Sequence, residues 1–269
     1  MYPPGRHRLC LAVYIPSGHL SGRDNRLLRV VHPIETGAAG GSQIICFPYL
    51  GGYANSFLNL ADKLDDSYEL WALNPPGHGS CRKPPAEDMT ALLDLIIGEL
   101  KSILRPGGML FGHSMGGMVA YFLAQRLTES CHPTLILSAC TTPAETRRVS
   151  HLPDDRLIEH LASYGGIPQE LMHERSLLHF FLPVFRADFK VLESASSLNR
   201  TPLACPAYLL WGGQDRIVPL SAMLRWTDYF SGVVHLVPVR DGGHMFISDN
   251  TEAVADILGR IGQKQRIDG

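Results

Sequence analysis

Met109-Leu110-Phe111-Gly112-His113-Ser114-Met115-Gly116-Gly117 is the stretch on which the reading of this chain turns. Three apolar residues that suit a strand run into Gly-x-Ser-x-Gly, and a segment of helical period follows. Ser114 is therefore expected on a sharp strand-to-helix turn, the nucleophile elbow. The flanking glycines have a steric purpose. A side chain at 112 or 116 would crowd the turn that pushes the hydroxyl outward, and Gly117 lets helix and sheet pack closely.

On both sides of this turn, short apolar runs ending in Gly, Pro or polar clusters alternate with longer helical segments. That is the pattern of a mainly parallel sheet covered on both faces. Strands are predicted at 27–32, 43–47, 69–73, 108–111, 134–139, 207–211 and 233–237. The clearest helix is 88–104, where Met89, Leu92, Leu93, Ile96, Ile97, Leu100, Ile103 and Leu104 share a face; others are expected at 54–64, 115–128, 219–229 and 250–261. A sheet with an elbow at its centre implies the α/β-hydrolase fold. About 65 residues separate the strand near Ala139 from the next, far more than one connection of roughly 2–6 residues needs. Residues 142–204 are accordingly read as an inserted helical lid on one domain spanning 1–269. Its helices are expected at 154–163, 168–182 and 184–195, with Pro183 dividing the last two.

A serine hydroxyl is a weak nucleophile until a base takes its proton, and in this fold the partners follow in the order acid, then histidine. His244 lies in Asp241-Gly242-Gly243-His244, a glycine-flanked loop after the last predicted strand. Most of the other eleven histidines are read as surface or packing residues. Asp215 follows Trp211-Gly212-Gly213-Gln214 at the end of the preceding strand and is the preferred acid, with Asp241 its competitor. The developing oxyanion needs backbone donors, one from Met115 and one from the loop Phe47-Pro48-Tyr49-Leu50-Gly51-Gly52. Leu50 is preferred there, with Tyr49 as the alternative.

The chain has 269 residues, 45% of them hydrophobic, and a formal charge of −2. Without a long Lys/Arg run, nucleic acid and anionic membranes are not expected partners. No stretch approaches the roughly 18 apolar residues of a membrane span. Arg6 and Arg8 precede a short apolar run at 9–15, but no small-x-small cleavage site follows. Residues 1–25 are read as a loosely ordered extension, and the location as cytoplasmic. Cys10, Cys46, Cys81, Cys131, Cys140 and Cys205 lie far apart and are read as reduced thiols, with no metal site among them.

With these positions fixed, the sequence resembles the type II (editing) thioesterases that accompany nonribosomal peptide and polyketide synthetases. Phe47-Pro48-Tyr49-Leu50-Gly51-Gly52 is similar to that family's Phe-Pro-Tyr-Ala-Gly-Gly. Tyr164-Gly165-Gly166-Ile167-Pro168, with Glu170-Leu171, is similar to its Gly-Gly-x-Pro segment. Leu182-Pro183-Val184-Phe185-Arg186-Ala187-Asp188 is close to its Leu-Pro-x-x-Arg-Ala-Asp signature. Leu50, Gly117 and the histidine of Pro75-Pro76-Gly77-His78-Gly79 depart from the family's usual residues. The resemblance implies hydrolysis of acyl thioesters on the phosphopantetheine arm of an acyl or peptidyl carrier protein, with no metal or cofactor required; oligomeric state is left open, with a monomer as the default. Leu177, Leu178, Phe180, Phe181 and Phe185 then either line an acyl chamber or anchor the lid. Tyr49, Phe181 and Phe185 are the candidate substrate contacts, and Arg147, Arg148 and Arg186 candidate contacts for an acidic carrier. An esterase, amidase or proline-type peptidase of the same fold, and a receptor without turnover, are the competing readings.

Overall fold

Runs that are apolar on both faces have nowhere to go but the middle of a covered sheet, and five such runs, with a half-exposed edge strand as the last, form its six parallel strands. These are β2 (Ser42–Phe47), β3 (Tyr68–Leu73), β4 (Met109–His113), β5 (Thr134–Ser138), β6 (Ala207–Gly212) and β7 (Val234–Val239). A short β1 (Leu27–Arg29) pairs antiparallel with β3, and the order across the sheet is β1-β3-β2-β4-β5-β6-β7. The computed structural model describes residues 27–29, 41–127, 132–163 and 174–268. All seven predicted strands are present in that range, and the architecture is that of the α/β-hydrolase fold.

Helices α2 (Met89–Ile103) and α3 (Met115–Leu127) bury Leu92, Leu93, Ile96, Met118, Val119 and Leu123 against one face of the sheet. Asp88 caps α2 by accepting from the N–H of Ala91 at 2.8 Å. On the other face lie α1 (Leu58–Ala61), α7 (Phe246–Asp249) and α8 (Thr251–Asp268). Two expected helices are shorter than predicted. Residues 54–64 form a 3-10 turn and a single α turn, and 219–229 divide into α6 (Leu220–Leu224) and a 3-10 segment. Asn55, Ser56, Asn59 and Asp62 are weak helix formers, so the first of these depended on packing that only the fold supplies. Helix α8 runs past the expected end at 261. Gln265 reaches the Gly107 carbonyl (3.0 Å) and Arg266 the Ser42 hydroxyl (2.9 Å), and these bonds hold its last turns.

Between β5 and β6 the chain carries α4 (Asp154–Ser163) and α5 (Arg175–Ser194), joined by their own cluster of Val149, Leu157, Leu161, Leu178, Leu182 and Phe189. Pro183 does not divide α5 as predicted. It removes one backbone bond, and the buried residues on either side, Leu182 and Phe189, keep the helix continuous. The segment 164–171, including Pro168, lies outside the described residues, as do 1–25. Cys46, Cys140 and Cys205 are free, but Cys81 is disulfide-bonded, a correction to the expectation of six thiols. Sequence spacing gives no sign of which cysteines meet.

Candidate active site

Across this sheet the chain leaves β2 in one direction to β3 and in the other to β4, so a crevice opens at the carboxyl ends of β2 and β4. Ser114 stands there at the junction of β4 and α3, with φ 53° in the left-handed region that costs a non-glycine residue about 1–3 kcal/mol. Its N–H donates to the Ser138 carbonyl at 2.7 Å, and its own carbonyl accepts from Gly117 at 3.0 Å. A methyl group at Gly116 would overlap the Phe47 carbonyl and lie 2.7 Å from that of Pro48. The bare glycine thus lets the loop after β2 sit directly against the elbow. At Gly112 a methyl would strike the backbone of Gly116 and Gly117, as the steric reading of the motif required.

The acid and base loops meet in a similar way. Gly212 and Gly213 press against the backbone of Arg240, Gly242 and Gly243, and Gln214 N–H donates to the Gly242 carbonyl at 2.9 Å. This brings His244 Nδ1 to 2.9 Å from Asp215 Oδ2 and His244 Nε2 to 3.2 Å from Ser114 Oγ. The carboxylate can only accept, so the network assigns the imidazole proton to Nδ1 and leaves Nε2 to accept from the serine hydroxyl. Asp215 Oδ1 accepts from the N–H of Ile217 (2.8 Å) and Val218 (3.0 Å). Burial pushes this carboxyl up, but the bond to His244, its charge and the two backbone donors outweigh that and hold it below the ordinary carboxylate range. Asp241 is exposed, and the bond to His244 belongs to Asp215.

His113, inside the five-residue motif, is fully buried and has specific partners the sequence reading did not foresee. Its Nε2–H donates to the His244 carbonyl at 2.9 Å, and its Nδ1 lies 2.9 Å from the Ser138 hydroxyl. Burial, together with the nearby His244, pushes its pKa down to about 3 against the opposing pull of the His244 carbonyl and Asp215. His113 therefore stays neutral and tethers the His244 backbone to the elbow. The signal lay in the motif itself, at the position between Gly112 and Ser114.

Ser114 and His244 line a cavity of about 550 Å³. Tyr49, Leu50 and Met115 form its wall beside the serine, and Phe185, Phe189 and Leu192 of α5 cover it. Phe181 lies outside this cavity, 44% exposed, with Phe180 edge-on to it; Leu177 is exposed and Leu178 is buried between α4 and α5. Among the described residues, neither Leu50 N–H nor Met115 N–H makes a turn, loop or cap hydrogen bond, whereas Gly51 N–H is taken by Asp188. Thr146 Oγ1 is buried at the cavity wall without a partner among the described residues. Arg147 is exposed at the same cavity. Arg186, expected to meet a partner, instead binds the carbonyls of Ser150 and Leu152 and the Asp154 carboxylate, tying α5 to the segment before α4. Among the described residues no group of three His, Cys, Asp or Glu side chains is placed to hold a metal ion, and no helix is long and apolar enough to cross a membrane.

The proteins to which this chain is similar include thioesterases of Streptomyces. A probable cadicidin biosynthesis thioesterase of Streptomyces griseus is 31% identical over 85% of this chain and 64% of its own length, so the chain spans just under two thirds of that protein. Thioesterase PikA5 of Streptomyces venezuelae is 27% identical over 85% of the chain and 83% of its own length. Among solved structures, YbtT, a type II thioesterase from the yersiniabactin NRPS/PKS biosynthetic pathway, superposes with a TM-score of 0.78 at 27% identity, covering 90% of this chain and 99% of the other. The family model described as Thioesterase domain matches residues 42–261, from the first residue of β2 to the body of α8, and the chain belongs to that family of thioester hydrolases.

Proposed function

We propose that the chain is an editing thioesterase that clears acyl or aminoacyl groups from the phosphopantetheine arm of carrier proteins in nonribosomal peptide or polyketide synthesis. The observation that carries this reading is the continuous Ser114–His244–Asp215 relay opening into a cavity covered by the apolar side of α5. Ser114 Oγ attacks the thioester carbonyl carbon while His244 Nε2 takes the hydroxyl proton. Asp215 holds the imidazole tautomer and offsets the charge that forms on it. The oxyanion settles on the N–H groups of Met115 and Leu50. As the C–S bond breaks, the pantetheine sulfur leaves and takes the proton from His244. Water deprotonated by His244 then cleaves the acyl-serine ester, returning the proton to Ser114 Oγ and releasing the acid.

Residues 142–204 act as a lid in this scheme, with Phe185 and Tyr49 against the acyl group and Thr146 Oγ1 free for an amide of the arm. The relatives support it, since solved structures of similar architecture include type II thioesterases of NRPS/PKS pathways. Steady-state hydrolysis of acetyl- and aminoacyl-carrier protein, set beside a p-nitrophenyl ester, tests the reading. It requires carrier-borne thioesters to have the higher kcat/KM, and a preference for the ester would replace it with a general esterase.

A further inference from the structure

Asp188 lies on α5 with 5% of its surface exposed, and its partners come from two other parts of the chain. Oδ2 accepts from the Gly51 N–H at 2.7 Å and lies 2.9 Å from His78 Nε2. Burying a carboxylate is costly unless it is both paired and hydrogen-bonded, and here both conditions hold. Both nitrogens of His78 face acceptors, because Nδ1 lies 3.0 Å from the Pro76 carbonyl. A neutral imidazole has one N–H and can satisfy one of them; the imidazolium satisfies both. Burial pushes His78 down, but the charge and hydrogen bond of Asp188, with the carbonyls of Pro76 and Pro75, outweigh it and raise the group above its ordinary value. The ion pair fixes the carboxylate between the loop after β3 and the loop after β2.

Phe185 stands three residues before Asp188 on the same helix, and at that spacing two side chains share a face. Its ring lies against Gly51, where a methyl group would collide with it, and where the backbone adopts φ +75°. Two side chains of α5 therefore close on one residue, and the peptide that joins it to Leu50 is held by one of them.

We propose that Asp188 is a positioning residue for the oxyanion donor. With Phe185 it grips Gly51, so the placement of the long inserted helix sets the placement of the Leu50 N–H beside Ser114. The proposal rests on the thioesterase reading and on Leu50 as a donor. It makes the insertion part of the rate-determining geometry as well as a cover for the acyl group.

The test compares Asp188→Ala, Asp188→Asn and Arg186→Ala on acetyl-N-acetylcysteamine, a thioester too small to engage a carrier surface. Alanine removes the acceptor for Gly51. Asparagine keeps it, because its amide oxygen in the Oδ2 position can accept both from the Gly51 N–H and from the Nε2–H of a neutral His78. Arg186→Ala removes the bonds from α5 to Ser150, Leu152 and Asp154 and leaves the two side chains that hold Gly51 in place. Loss of a whole oxyanion donor costs about 10²–10³ in kcat, so a displaced donor should cost Asp188→Ala at least about tenfold, with KM within about threefold. Asp188→Asn should recover most of kcat, and Arg186→Ala should keep it. If alanine at 188 prevents folding, the double variant His78→Leu with Asp188→Ala leaves no buried charge unpaired and carries the same comparison. A folded variant without the acceptor that retains wild-type kcat, or loses activity wholly through KM, overturns the proposal. So does an asparagine variant as slow as alanine. Should wild type hydrolyse no thioester yet react at Ser114 with a fluorophosphonate, the thioesterase reading fails by itself. The phosphonylation rate, which depends on the same donors, then supplies the comparison among the variants.

Discussion

Replacing Asp215 by asparagine preserves the size of the side chain but turns one of its two oxygen positions into an NH₂ group. Oδ1 accepts from Ile217 and Val218, so the amide oxygen must take that place; an NH₂ there would leave two buried donors unpaired at about 1–3 kcal/mol each. The NH₂ then faces His244 Nδ1. Since it can only donate, the imidazole proton must move to Nε2, where it points at Ser114 Oγ and leaves no lone pair to accept the serine proton. A wrong tautomer of this kind lowers kcat by about 10⁴, equivalent to about 5 kcal/mol of transition-state stabilisation. Stability should change far less, because each hydrogen bond is replaced by another. The acidic edge of the stability profile should also change. Asp215 is held below its ordinary range in the fold, so its carboxylate stabilises the protein above the unfolded-state pKa, and that contribution is lost as pH falls through the folded value. The amide of the Asp215→Asn variant cannot titrate, so the variant should show no such loss. Thiol release from an acyl thioester, followed alongside urea unfolding, measures both effects, with Asp241→Asn as an exposed control that keeps full activity. An Asp215→Asn enzyme within tenfold of wild type, or an equal loss in Asp241→Asn, would refute the tautomer argument.

Three further substitutions probe the scaffold beneath the site. His113 is held neutral with a pKa near 3, so the unfolded state binds its proton first, and stability is lost as pH falls from about 6.5 toward 3. Between pH 7.5 and 4.5 this group should cost wild type about 2–3 kcal/mol in urea unfolding. In His113→Gln that share should vanish, and equal losses in both proteins would contradict it. Gly116→Ala sets a methyl against the Phe47 and Pro48 carbonyls. It should destabilise the fold by about 1–3 kcal/mol and slow turnover by parting the Leu50 loop from the elbow; an unchanged Tm and kcat would show that the approach is looser than described. Asp88→Ala removes the cap of α2 and should cost about 1 kcal/mol in urea unfolding with no change in kcat.

Elements whose signal is local were legible before the fold was known. Each buried strand is a short apolar run ended by glycine, proline or a polar cluster, and β2 through β7 appear within two residues of their predicted bounds. Ser114, Asp215 and His244 could be placed because each follows a strand in a fixed chain order. Relations made by distant backbones coming together were not legible. Pro183 read as a break because its cost is local, whereas the packing of α5 that absorbs the cost is tertiary. His78 and Asp188 are 110 residues apart, and His113 binds a carbonyl 131 residues away. Their residue types fit an exposed turn or a helix face equally well, so only the approach of one loop to another reveals what they hold. Arg186 shows the converse: a charge that suggested a partner surface is consumed by carbonyls of its own chain.

Intact-protein mass spectrometry of an acetylated carrier protein mixed with the enzyme shows whether Ser114 takes the acyl group from a carrier-bound thioester. The carrier should return to its free-thiol mass while a transient acetyl adduct appears on the enzyme at Ser114, and Ser114→Ala should abolish both. A carrier that keeps its acetyl group beside a wild-type enzyme able to hydrolyse simple esters would contradict that transfer.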